Sequence, residues 1–248
     1  MPPIKSILFD CDNTLVLSEE IAFEGCAQLS NEILEKHGKP ERYDGPTLMH
    51  DFVGLNFRGL MKRLQARHGF TMDPAEEDAY HDRELDAICR SLTAKCRPCE
   101  GVDPVLEKLH ADGRYQLAIV SSSAMPRVMA SIVKVAQDRF FGDRVYSAAS
   151  SLDPPSSKPD PAIYLHACEK LGVSPRECVA IEDSRSGATA AKNAGIPLMG
   201  YVGPYLAEGG KEKQDQMAKL LKEELGAITV MYHWDEFWDK LKEVEAAP

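Results

Sequence analysis

Ile4-Lys5-Ser6-Ile7-Leu8-Phe9-Asp10-Cys11-Asp12-Asn13-Thr14 is an apolar run that stops at two aspartates two residues apart. Residues 4–10 read as a strand, and the Asp/Asn-rich tail reads as the turn that ends it. Ligand sites in open α/β sheets form beyond the carboxyl ends of the strands, so this stretch puts two carboxylates where chemistry is expected. From about residue 100 onward, short apolar runs alternate with segments of helical period. Strands are expected at Leu117–Ser121, Arg144–Ser147, Cys178–Glu182, Ile196–Tyr201 and Ala227–Tyr232. Between them lie helices with legible ends: Asp103–Ala111 stops before Asp112-Gly113, and Ser184–Ala194 stops before Gly195 and Pro197. This alternation predicts a Rossmann-like, doubly wound parallel sheet. Residues from about 18 to 95 break the pattern, because they are helical throughout and offer no strand. They predict an all-helical domain inserted after the first strand, with the core formed by 1–16 and 97–248 and the insertion by 17–96. The charge-rich stretch Glu208–Lys222 reads as an ordinary surface helix, its apolar side supplied by Met217, Leu220 and Leu221.

Composition limits the function. Of 248 residues, 44% are hydrophobic, and 29 basic against 39 acidic side chains give a formal charge of −10. That apolar content excludes general disorder, and no apolar run approaches the roughly 18 residues that span a bilayer. The start, Met1-Pro2-Pro3-Ile4-Lys5-Ser6, lacks a signal-peptide pattern, and a cytoplasmic location is expected. A negative chain is a poor match for nucleic acid and does not draw anions from a distance. Neither a nucleic-acid nor a membrane partner is expected, and the chain is taken as a monomer or weak homodimer. The seven cysteines, at 11, 26, 89, 96, 99, 168 and 178, are odd in number and scattered, which favours free thiols over a disulfide framework. Cys96-Arg97-Pro98-Cys99 has metal-like spacing but neither a second pair nor flanking histidines, and reads as apolar filling before a turn.

Polar residues converge at three strand ends and one loop. The first strand ends in Asp10-Cys11-Asp12-Asn13-Thr14, the second in Ser121-Ser122-Ser123 and the fourth in Glu182-Asp183-Ser184, while a loop before a helix carries Lys158-Pro159-Asp160-Pro161. Singly these fit turns, helix caps and a surface charge. At one edge of one sheet they fit phosphoryl transfer. Two carboxylates can divide the labour of nucleophile and proton exchanger. Acidic groups at two strand ends suit magnesium, and hydroxyls, amides and a lysine suit the charge of a phosphoryl group.

The set resembles the haloacid dehalogenase superfamily over essentially the whole chain. Asp10-Cys11-Asp12-Asn13-Thr14 matches its Asp-x-Asp-x-Thr motif, Ser121 its strand-ending hydroxyl, Lys158 its lysine and Glu182-Asp183 its acidic pair. The helical insertion resembles the cap of phosphatases similar to β-phosphoglucomutase. The resemblance implies that Asp10 attacks phosphorus to give an aspartyl phosphate, while Asp12 protonates the leaving alcohol and then activates water. It implies Mg2+ held by Asp10, the Asp12 carbonyl and Asp183 with Glu182 alongside, Ser121 and Lys158 on the transferring group, and a hydrogen-bonding role for Thr14. Ser122 is a further expected substrate contact.

Within the family the resemblance implies that Asp12 speaks against a dehalogenase, since the dehalogenases lack that second aspartate and need no metal. The early cap, Ser18-Glu19-Glu20-Ile21-Ala22-Phe23-Glu24, offers no lysine for phosphonate chemistry. Asn13 replaces the usual glycine, and Asn tolerates the left-handed conformation. Val16-Leu17-Ser18-Glu19 replaces a Val-Asp-Ser-Glu pattern at the hinge. The expected function is a magnesium-dependent phosphatase of a small phosphorylated metabolite, a sugar phosphate or sugar-acid phosphate. The alternative is a sugar-phosphate mutase, and after it a non-catalytic binding module. Residues 52–72 hold Arg58, Lys62, Arg63 and Arg67 and no acidic residue. Asn56 and Arg58 are the expected specificity residues, suited to a second anionic group on the substrate.

Overall fold

The computed structural model describes residues 2–52 and 55–248. Positions 53 and 54, within the basic stretch 52–72, lie outside the described residues. The chain forms two compact units, residues 1–17 with 98–248, and residues 18–97.

The first unit is built on six strands: β1 (Ser6–Phe9), β4 (Gln116–Ser121), β5 (Val145–Ser147), β6 (Cys178–Glu182), β7 (Leu198–Tyr201) and β8 (Thr229–Met231). Their order is β5-β4-β1-β6-β7-β8 and every pairing is parallel. Both faces are covered, so β1 and β6 are buried at every position and read as continuous apolar runs rather than alternating ones. Leu8, Val120 and Ala180 pack with Tyr164 and Ala167 of α8 (Ala162–Leu171) and Ala188 and Ala191 of α9 (Arg185–Asn193). Phe9, next along β1, points the other way, stacking on Trp234 at 6.2 Å and meeting Phe141 edge-on at 5.7 Å. Helices α5 (Val102–Asp112), α6 (Met125–Lys134), α7 (Asp138–Phe141), α10 (Tyr205–Lys219) and α11 (Phe237–Glu245) complete the core unit.

From β1 the chain continues to β4, and from β6 it continues in the opposite direction to β7. The topological switch, where such sheets bind ligands, therefore falls between β1 and β6.

The inserted unit is helical, as expected: α1 (Glu19–Lys36), α2 (Gly45–Phe52), α3 (Phe57–His68) and α4 (Pro74–Lys95). The Asp73 side chain accepts a hydrogen bond from Glu76 N to cap α4, and Pro74 fills its first turn, where a missing N–H costs nothing. Two strands of two residues each, β2 (Val16–Leu17) and β3 (Arg97–Pro98), form a separate ribbon that the sequence pattern does not reveal.

The stretch 208–222, expected as one helix, is broken. Gly209 (φ −156°, ψ 20°) and Gly210 (φ 70°, ψ −171°) interrupt α10, and a π-helical turn, Leu220–Glu224, follows it. The Gly210 conformation is open essentially to glycine alone. All seven cysteines are free thiols. Among the described residues no helix is long and apolar enough to cross a membrane.

Candidate active site

Asp10 N donates to Ile181 O at 3.0 Å, extending the ladder that pairs Phe9 with Ile181 and setting Asp10 beside Glu182 at the switch point. Beyond it the chain turns back sharply. Leu15 N and Val16 N donate to Cys11 O at 3.0 and 3.2 Å, and Asn13 takes φ 56°, the left-handed conformation expected of it. Thr14 is fully buried in this loop.

Lys158 ties the site together. Its ammonium uses all three donors: 2.6 Å to Asp10 Oδ1, 2.6 Å to Glu182 Oε1 and 2.7 Å to Val120 O. One side chain thus pins β1, β6 and β4. Tyr164 OH also donates to Glu182 Oε1, at 2.5 Å, and the Tyr164 ring lies 5.1 Å from the ammonium, within reach of cation–π attraction. Burial alone would disfavour the ammonium, but Asp10 and Glu182 outweigh it and hold Lys158 above the ordinary lysine range. Burial pushes Asp10 up to about 7, with Lys158 opposing and Glu182 and Asp12 adding to the rise.

Ser121 and Ser122 act on the backbone around this lysine. Ser122 Oγ accepts from Lys158 N at 3.1 Å, and Ser121 Oγ accepts from Ser123 N at 3.0 Å. On the β6 side, the Ser184 side chain caps α9 by accepting from Gly187 N at 3.1 Å. Tyr205 OH donates to Asp183 Oδ2 at 3.1 Å. Asn13 Nδ2 donates to Glu208 Oε1 at 3.3 Å.

Asp12 has different company. Ser123 Oγ donates to its Oδ2 at 2.6 Å, and Arg127 Nη2 donates to its Oδ1 at 3.2 Å.

The structure therefore brings together Asp10, Lys158, Glu182 and Asp183, with Ser121, Ser122 and Asp12 in the adjoining network. Asn56 and Arg58 are engaged inside the helical unit. Asn56 Oδ1 accepts from Gly59 N at 2.9 Å and caps α3, and Arg58 pairs with Asp78 at 2.8 Å. The sequence pattern does not single out Arg127, Tyr164, Tyr205 or Glu208 for the site, and it offers Ser123 only as part of the polar strand end Ser121-Ser122-Ser123. The place of Arg127 in the first turn of α6, just after that polar strand end, was the one available signal.

The donor set fits a hard divalent cation. Asp10, Glu182 and Asp183 each offer a carboxylate oxygen within 4.8 Å of the others, and all three are buried. Set against the single Lys158 ammonium, these carboxylates leave negative charge uncompensated, which an oxygen-preferring dication balances. Glu182 Oε2 is buried without a hydrogen-bond partner among the described residues.

A parallel sheet with aspartate and lysine converging at its switch point, and a helical insertion after the first strand, defines a hydrolase class. Residues 4–195 match the model of the haloacid dehalogenase-like hydrolases, and the chain belongs to that family. It is 26% identical over 198 residues to 6-phosphogluconate phosphatase of Escherichia coli (strain K12), covering 80% of this chain and 82% of that protein. It is 48% identical over 225 residues to a CBBY-like protein of Arabidopsis thaliana, covering 85% of this chain and 67% of that one. Among solved structures, a HAD family hydrolase from Deinococcus radiodurans R1 with bound phosphate and sodium aligns with a TM-score of 0.72 at 28% identity, covering 98% of this chain and 97% of that one.

Proposed function

We propose that this protein is a magnesium-dependent phosphatase that hydrolyses a small phosphorylated metabolite, a sugar phosphate or sugar-acid phosphate, through an aspartyl phosphate on Asp10. The observation that carries the reading is the buried contact of Lys158 with Asp10 and Glu182 at the switch point of the sheet. The name of the Escherichia coli relative, a 6-phosphogluconate phosphatase, supports the substrate class.

The steps follow from the residues. An Asp10 carboxylate oxygen forms a bond to phosphorus while the bond from phosphorus to the alcohol oxygen breaks, and Asp12 gives that oxygen its proton. Water then attacks the aspartyl phosphate, Asp12 takes the proton, and phosphate leaves as the Asp10 carboxylate is restored. Lys158 and Ser121 hold the transferring group, the former stabilising its developing charge. Ser122 fixes the Lys158 backbone, and Thr14 supports the nucleophile loop. Asp10, Asp183, the Asp12 carbonyl and Glu182 would hold magnesium, which when bound neutralises phosphoryl oxygens. Asn56 and Arg58 are proposed to tune specificity. The substrate is free in solution, and the protein acts in the cytoplasm as a monomer or weak homodimer.

The test is phosphate release from a panel of sugar, sugar-acid and sugar bisphosphates, with magnesium and with a chelator. Magnesium-dependent release supports the reading. A panel that is silent with magnesium overturns it, and bisphosphate-dependent isomerisation in place of release replaces it with a mutase.

A further inference from the structure

Asp12 sits on a reversed loop with its side chain 27% exposed, and an aspartate in such a place ordinarily samples several rotamers. Here both carboxylate oxygens are anchored, and the anchors belong to another part of the chain. The Ser123 bond at 2.6 Å is in the short range of hydroxyl-to-carboxylate bonds. Ser123 is itself fixed twice, its N–H on Ser121 Oγ at 3.0 Å and its C=O accepting from Ser147 Oγ at 2.7 Å. Arg127 rises from the first turn of α6, where its N–H donates to Ala124 O at 2.9 Å, and its guanidinium reaches Asp12 Oδ1 at 3.2 Å with 24% of its side chain exposed.

We infer that Arg127, together with Ser123, is a positioning residue for proton exchange: it fixes the Asp12 carboxylate where the leaving oxygen departs. A protonated carboxyl keeps one O–H donor beside its remaining acceptor capacity, so one anchor accepted on each oxygen leaves the Asp12 proton for the departing oxygen. Geometry is the reason such anchoring matters. A general acid must lie within hydrogen-bond reach of the leaving atom, and a misplacement of about 1 Å costs on the order of a hundredfold. As a mere ion pair, with 24% and 27% of the two side chains exposed, the contact would contribute little to stability. The inference rests on the proposed role of Asp12.

The test separates proton transfer from everything else by changing the leaving group. Single-turnover release of phenol from phenyl phosphate and of nitrophenol from p-nitrophenyl phosphate is compared in the magnesium-loaded wild type, D12N, R127Q and R127K. Phenolate needs a proton as it leaves, and nitrophenolate needs far less help. D12N is expected to slow phenyl phosphate by about a hundredfold and p-nitrophenyl phosphate much less. R127Q is expected to reproduce that asymmetry at about tenfold against about twofold, and R127K to restore part of it. The retained p-nitrophenyl activity reports that the variant is folded. If D12N is asymmetric and R127Q slows both esters equally, Arg127 is only structural and the inference fails while the Asp12 reading stands. If D12N slows both equally, the Asp12 reading fails and the inference falls with it.

Discussion

Lys158 donates a 2.6 Å hydrogen bond to Asp10 from 148 residues away in the sequence, and through the same ammonium it holds Glu182 and the Val120 carbonyl. Breaking a buried ion pair from one side leaves unpaired charge and costs about 3–5 kcal/mol. K158M should therefore abolish phosphate release and lower stability by about that amount. Urea unfolding measures the loss, and magnesium should recover more stability in K158M than in the wild type, because the variant keeps the carboxylates without their counter-charge.

The raised Asp10 makes a pH prediction for the metal-free protein. Its carboxyl titrates near 7 when folded and near the ordinary 3.8 when unfolded. Between those values the folded state binds more protons, so stability falls as pH rises. D10N removes this linkage. Thermal unfolding in chelator should show D10N more stable than the wild type at pH 8, with the gap closing as pH falls toward about 4.

Gly187 gives Glu182 its room. A Cβ at position 187 would lie 1.8 Å from Glu182 Oε2 and 2.1 Å from its Cδ, and Glu182 cannot retreat because Lys158 and Tyr164 hold its other oxygen. G187A should destabilise the fold by about 1–3 kcal/mol and cut phosphate release sharply. Denaturant unfolding and the release assay together check this.

Arg58 and Asp78 form an exposed pair at 2.8 Å, a kind that contributes about 0–1 kcal/mol. R58A should leave the unfolding midpoint nearly unchanged. As a specificity residue it should instead raise KM several-fold for substrates with a second anionic group and leave kcat in place. Unchanged KM values across the substrate panel would remove Arg58 from the proposal.

The parts of the site that ended an apolar run were legible in the sequence. Asp10, Ser121 and Glu182 each end an apolar run, and although all three are buried they find polar partners at the ends of the strands. The parts that reach the site from helices were hidden. Tyr164 lies in the apolar pattern of Ala162–Leu171 and counts as core; only its hydroxyl, bonded to Glu182, belongs to the site. Glu208 looked like part of a charged surface helix. The break at Gly209 and Gly210 separates it from that helix, and it bonds to Asn13. The ribbon of β2 and β3 went unseen because two-residue strands are too short to display a period.

The account centres on Asp10 as the nucleophile, and borohydride trapping tests it most directly. The magnesium-loaded protein is mixed with a turned-over substrate from the panel, quenched, reduced and sequenced. An aspartyl phosphate is reduced to homoserine, so the predicted result is homoserine at position 10 in the wild type, none in D10N, and no phosphate release by D10N. Phosphate release with position 10 still aspartate after reduction, or undiminished release by D10N, would contradict it.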